Sequence, residues 1–221
     1  MGNMTWRFSH IFKINLIARF APNFNQMQLP EEELLHKFIT AIYPLKDKEW
    51  ESFVEIWEPF ACKRKIILSS AGDTERYLYF VLEGVQRSYY LDKNGAEVTI
   101  VFTYPYSFSG VADSFLTQTP SFYFLETLTA SSFLRTTYKQ LERLMDQHPG
   151  IHRMVLKSTS WALKGVLERQ VELQSFSAEE KFRQLLTRSP QVLNLIPHKY
   201  LASYLGLDAT TFSKLLGRVR L

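Results

Sequence analysis

The chain reads as an α+β protein in which a double-stranded β-helix, or jelly roll, is followed by a long helix and a C-terminal helix-turn-helix. Three observations predict this arrangement. From Cys62 to about Tyr138, short runs rich in β-branched and aromatic residues recur between turn signals, as strands do in barrels and jelly rolls. From Ile151 to about Phe176 one helical pattern continues. From Ile196 to Leu216, a small residue, a glycine four positions later and five apolar residues have the spacing of two helices joined by a tight turn.

The elements follow in order. Leu34, Leu35, Phe38, Ile39 and Ile42 recur at three- and four-residue spacing, which predicts a helix over Glu31 to Ile42; Trp50, Phe53, Val54 and Trp57 do the same for Lys46 to Trp57. Strands are expected at Lys65 to Leu68, Tyr77 to Leu82, Val85 to Leu91, Glu97 to Phe102, Tyr123 to Leu128 and Phe133 to Thr137. Ala71-Gly72-Asp73, Glu83-Gly84 and Asp92-Lys93-Asn94-Gly95 supply turns. A brief helix over Lys139 to Gln147 is broken by His148-Pro149-Gly150. On the long helix, Ile151, Val155, Ser158, Ala162 and Gly165 lie near one stripe, small enough for a second copy to approach; the other reading is that this stripe covers the chain's own roll. Ser177-Ala178-Glu179-Glu180 opens a further helix through Arg188, and Ser189-Pro190 ends it. The domains are therefore an N-terminal extension over 1–30, the roll with flanking helices over 31–147, the long helix over 148–176 and the terminal domain over 177–221.

In the terminal motif, Ala202 lets one helix cross the other closely and Gly206 supplies a turn residue at ease with positive φ. Leu201, Leu205, Leu207, Phe212 and Leu215 hold the two helices together, and Asp208 can cap the second. Such a unit serves mainly to lay one helix in a DNA major groove, although an ordinary αα-hairpin uses similar residues.

Charge fits a polyanion binder at the C-terminal end. Residues 178–221 hold seven Lys/Arg against three Asp/Glu and residues 1–30 hold three against none, while residues 31–177 hold 16 against 19. One cysteine, Cys62, makes no internal disulfide and suits a reducing cytosol; it also excludes a single-chain four-cysteine iron–sulfur cluster. The neighbouring Lys63-Arg64-Lys65 could activate its thiol, or Cys62 is simply structural. No stretch approaches the ~20 apolar residues that cross a bilayer. Trp6 to Phe20 is aromatic and basic but interrupted, and makes a poor signal peptide; residues 1–26 read either as the product of an upstream start codon or as an amphipathic docking helix. Between His36 and His148 there is no histidine, so a metal-dependent jelly-roll enzyme lacks its usual ligands, and neither a phosphate loop nor a nucleophile elbow occurs. The sequence thus names no catalytic residue, no metal site and no cofactor.

Tyr79-Phe80-Val81-Leu82-Glu83-Gly84, the Phe-rich stretch to Gly110, Glu180-Lys181-Phe182-Arg183-Gln184-Leu185-Leu186, and Ile196-Pro197 ahead of Leu201-Ala202-Ser203-Tyr204-Leu205-Gly206 carry a resemblance. With the order of roll, long helix and helix-turn-helix, the chain resembles the Crp/Fnr family of bacterial transcription regulators, most of all its Bacteroidetes-type members, over roughly Leu34 to Leu221. The resemblance implies a cyclic-nucleotide-binding-type sensor, a dimerisation helix and a winged-helix-type reader. It implies double-stranded DNA, a second copy of the chain and RNA polymerase as partners in the cytoplasm, and no membrane. A degenerate member that binds proteins or ligands without reading DNA is the alternative.

The same resemblance bears on ligands. Cyclic-AMP-binding members carry Phe-x-Gly-Glu and, eleven residues after the Gly, an Arg; here Phe108-Ser109-Gly110-Val111 and Ser121 stand at those positions, and Val166 and Leu167 stand where purine contacts would come. A buried phosphate without a cation costs several kcal/mol, so cyclic AMP is not expected to bind, and a different small-molecule effector is left open. Arg87, Phe108, Gly110, Val111, Ser121, Tyr123 and Val166 are the candidate effector-pocket residues; the aromatic crowding there also fits a filled core, and Arg87 and Arg135 would bind an anion only if they faced inward. For DNA, Ala209, Thr210, Thr211, Ser213 and Lys214 would occupy the first turns of the recognition helix behind the Asp208 cap. Lys214 matches the family's contacting Arg, whereas Ala209-Thr210 replace its Arg-Glu pair, which points to a different and more A·T-rich site. Lys199, His198, Arg218 and Arg220 are candidates for backbone phosphates.

Overall fold

The computed structural model describes residues 30–218, so the expectations for the N-terminal extension and for Arg220 lie outside the described residues. Helices α1 (Glu31–Ile42) and α2 (Asp47–Val54) lead into eight strands: β1 (Glu58–Cys62), β2 (Ile67–Ser69), β3 (Tyr77–Glu83), β4 (Gln86–Leu91), β5 (Glu97–Thr103), β6 (Phe108–Ser109), β7 (Phe124–Thr127) and β8 (Ser131–Thr137). The short helix α3 (Ala112–Thr117) lies between β6 and β7. Two antiparallel sheets face each other in the orders β1-β8-β3-β6 and β2-β7-β4-β5. The jelly roll expected from the alternating runs is therefore present.

Among the differences from the sequence reading, three have a local reason. β1 was not foreseen, because Pro59 argues against a strand; it is tolerated since β1 is an edge strand paired only with β8. β2 begins at Ile67 rather than Lys65, whose φ of 62° belongs to a left-handed turn. The helix after His148 begins at Pro149 rather than Ile151, because proline lacks only a hydrogen that a helix's first turn leaves unused.

After β8, Thr137 and Gln140 form a reciprocal cap that starts α4 (Tyr138–Gln147). The long helix α5 runs from Pro149 to Ser175, 27 residues or about 40 Å. Its first turns are anchored: Ile151 and Met154 are buried with Leu35, Ile39, Phe53 and Phe80, and Val155 packs against the same cluster. The Gly150 amide donates to Glu49 Oε1 at 2.8 Å. The stripe expected to face a second copy is thus divided. Its first half covers the chain's own roll, while Ala162 and Gly165 are exposed. Leu156, Leu163, Val166, Leu167, Val171 and Leu173 form the apolar surface that α5 leaves uncovered.

Inside the roll, Tyr79, Val81, Val111, Leu125 and Phe133 are buried together, with Phe60 and Tyr123 packed against them. Tyr79 and Phe133 have ring centroids 5.2 Å apart, and Phe60 lies 6.2 Å from each. The filled aromatic core weighed from the sequence exists, built in part from different rings.

Candidate nucleic-acid interface

The terminal domain is assembled from α6 (Ala178–Arg188), α7 (Val192–Leu195), α8 (His198–Leu205) and α9 (Ala209–Arg218). Ser177 and Glu180 cap α6 reciprocally. Phe182, Leu185, Leu186, Val192, Ile196, Leu201, Ala202, Leu205, Phe212 and Leu215 form its core. Ala202 is 4% exposed where the helices cross, and Gly206 takes φ +66°. The Leu207 amide donates back to Ala202 O at 3.0 Å, closing α8. Both sequence requirements of the turn are met.

Asp208 then starts α9. Its Oδ1 accepts from the Thr211 amide at 2.8 Å, and its Oδ2 accepts from the Thr211 hydroxyl at 2.7 Å. These bonds, hydroxyl first, hold the Asp208 carboxyl below the usual aspartate range. Asp208 and Thr211 therefore build the helix start. Phe212 and Leu215 anchor α9 inward, which turns Ala209, Thr210, Ser213 and Lys214 to solvent on one side and leaves Arg218 exposed one turn on. Lys199 and His198 are exposed at the start of α8, with the Lys199 ammonium 4.7 Å from the Tyr200 ring centre and the His198 ring 5.5 Å from that of Phe212. A convex helix with a polar and basic outer face and a fully anchored inner face can enter a groove and offer donors to phosphates and base edges.

The candidate effector residues do not gather into one pocket. Arg87 is 1% exposed on the side of the second sheet that meets the terminal domain; its guanidinium is bonded by Glu97 and Glu126 and lies 3.7 Å from the Tyr200 ring centre. It is neither an inward anion ligand nor a solvated arginine. Arg135 pairs with Glu58 at 2.8 Å. Phe108 belongs to the cluster under the helices, stacked on Trp57 at 5.9 Å. Val166 is 64% exposed on α5. Val111 and Tyr123 share the aromatic interior, and Ser121 spends its hydroxyl on Tyr123, donating to the carbonyl and accepting from the amide, both at 2.8 Å. Gly110 sits at φ +136°, where a Cβ would stand 3.2 Å from Tyr77 O.

Sequence reasoning missed two buried carboxylates. Glu75 is 2% exposed, and its oxygens accept from the amides of Arg76 (3.0 Å), Tyr77 (3.2 Å) and Val111 (3.2 Å). Burial pushes its carboxyl up against the lowering effect of those donors. Glu172 on α5 is 1% exposed between Arg169 at 2.9 Å and Arg188 at 2.6 Å, while Arg169 also donates to the Tyr204 carbonyl. The Arg169–Glu172 spacing was a faint signal for the second; nothing in the sequence pointed to Glu75. Burial also raises the Cys62 thiol against the lowering effect of its Thr127 contact. Among the described residues no cluster of three metal-ligating side chains occurs, and no helix is long and apolar enough to cross a membrane.

The architecture is a jelly roll joined by a long helix to a terminal helix-turn-helix. Residues 61–148 match the cyclic nucleotide-binding domain family. The chain is 30% identical over 162 residues to the fumarate and nitrate reduction regulatory protein of Vibrio cholerae, covering 68% of this chain and 64% of that protein. It is 26% identical over 165 residues to the anaerobic regulatory protein of Pasteurella multocida, covering 70% and 60%. The match thus spans less than two thirds of either relative's length. FixK2 from Bradyrhizobium japonicum shares the fold with a TM-score of 0.66 at 17% identity, over 74% of this chain and 84% of that one. The chain is thus similar in sequence to these two regulatory proteins and in fold to FixK2.

Proposed function

We propose that the chain is a DNA-binding transcriptional regulator that works as a homodimer, each copy placing α9 in a major groove. The observation that carries this reading is the exposed face of Thr210, Ser213 and Lys214 on a helix pinned from behind by Phe212 and Leu215. The names of the curated relatives, both regulatory proteins, support it. The uncovered apolar stripe of α5 is the surface for the second copy. A promoter-bound dimer of this kind meets RNA polymerase in the cytoplasm. Selection from random duplexes by gel shift tests the proposal and returns the operator; failure to enrich any sequence refutes it.

Two measurements extend the test. Lys214→Ala is expected to cost ~1–3 kcal/mol at the selected operator and to reduce the salt slope of binding by about 1 if the ammonium meets a phosphate. Unchanged affinity would remove Lys214 from the interface. Cyclic AMP is expected to give no micromolar binding by calorimetry. The Val111 amide is taken by Glu75, and Ser121 brings no charge to the aligned cation position. Measurable heat at micromolar ligand would contradict this.

A further inference from the structure

The terminal domain does more than follow α5; it is seated directly on the roll. Arg87 leaves the outer side of β4 with its guanidinium between two rings, 4.2 Å from the Tyr89 centre and 3.7 Å from the Tyr200 centre on α8. Glu97 and Glu126 hold the guanidinium from β5 and β7, and Thr99 Oγ1 lies 3.4 Å from it. A planar cation fixed by two carboxylates offers Tyr200 a face of defined position, which a flexible ammonium would not.

One turn further along α8, Ser203 makes a second contact of a different kind. β5 is the outermost strand of its sheet, so the backbone groups on its far side have no strand partner. The Ser203 hydroxyl donates to Glu97 O at 3.0 Å and accepts from the Thr99 amide at 2.9 Å. One side chain thus satisfies two open groups of the edge. Phe102 and Tyr204 meet nearby with ring centroids 5.3 Å apart, and Tyr204 also takes Arg169 of α5, 4.0 Å over its ring. Helix α8 is held by the roll as well as by the long helix.

We infer that Arg87, Tyr200 and Ser203 are positioning residues that set the orientation of the reading helix from the roll, independently of α5. This inference rests on the DNA-reading function proposed above. Two half-sites about 34 Å apart must be met by both copies at once, and a head already held at its angle loses little orientational freedom on binding. A head released from the roll still recognises one half-site, but must be ordered before the second can engage.

The test compares the full chain with Tyr200→Ala, Tyr200→Phe and Ser203→Ala, using the selected two-half-site duplex and a duplex carrying one half-site. Tyr200→Ala should weaken the two-half-site complex about tenfold, by loss of the desolvated cation–ring contact, and leave one-half-site affinity unchanged. Tyr200→Phe keeps the ring and should match the parent. Ser203→Ala should cost about threefold on the long duplex and should speed hydrogen exchange at the Thr99 amide, a readout that needs no DNA. Equal losses on both duplexes would mark Tyr200 as a structural residue of the head and overturn the proposal. So would unchanged or tighter binding by Tyr200→Ala, or unaltered exchange at Thr99. If the parent selects no duplex, the DNA-reading function falls and this proposal with it, whereas faster Thr99 exchange in Ser203→Ala would still report the contact.

Discussion

In the proposed homodimer, Leu163→Glu is expected to give a monomer and to weaken binding to the two-half-site operator by about 10²–10⁴-fold, the advantage that linking two heads supplies. Ile151 and Met154 disappear beneath the chain's own helices, yet Leu156, Leu163, Val166 and Leu167 on the same rod remain largely in water. Leu156 and Leu163 stand seven residues apart with Leu167 four further on, the repeat of a two-helix seam. Leu163, 58% exposed in the single chain, is central to that row. A carboxylate there would be desolvated against its symmetry mate, which the seam cannot offset. Sedimentation velocity gives the oligomeric state and gel shift the affinity. A persistent dimer would place the twofold contact elsewhere.

The second large effect concerns folding. Gly84 joins β3 to β4 at φ +91°, and a Cβ there would stand 2.5 Å from Ala130 O and 2.9 Å from Ser131 Cα. Those are backbone atoms of the turn into β8 and cannot swing aside. Gly84→Ala is therefore expected to destabilise the roll by about 3 kcal/mol or more, joining overpacking to the cost of a left-handed alanine. Gly95, at φ +81° with nothing within 4 Å of its would-be Cβ, is the control; Gly95→Ala should cost only about 1–2 kcal/mol. Urea unfolding of both variants separates the two contributions. Equal losses would mean the crowding at Gly84 relaxes without cost.

What could be read from residues alone was the periodic part. The β-branched and aromatic runs of β3, β4, β5 and β8 between their turn signals and the three- and four-residue spacing of α1 survive averaging over neighbours, and so does the joint placement of Ala202 and Gly206. Interactions between distant segments were not legible. Arg87 looks like any strand arginine until Glu97, Glu126 and Tyr200 come together around it from three other elements. The long-helix stripe misled for a related reason. Ile151 and Gly165 share a helical face, but the helix runs from a covered region into an open one, and periodicity carries no record of where the roll stops. Glu75 shows the limit most plainly: a carboxylate amid strand residues gives no hint that amides at Tyr77 and Val111 will receive it.

The seating of Ser203 on the outer strand has a practical corollary for anyone who handles the roll by itself. Val98, Ile100 and Val101 already show apolar surface along that margin, and cutting the chain after α5 would bare the hydrogen-bonding groups of Glu97 and Thr99 beside them. Such a fragment would offer a sticky rim to its own kind and is expected to precipitate through strand-to-strand association, because the terminal domain is what covers this margin in the intact chain.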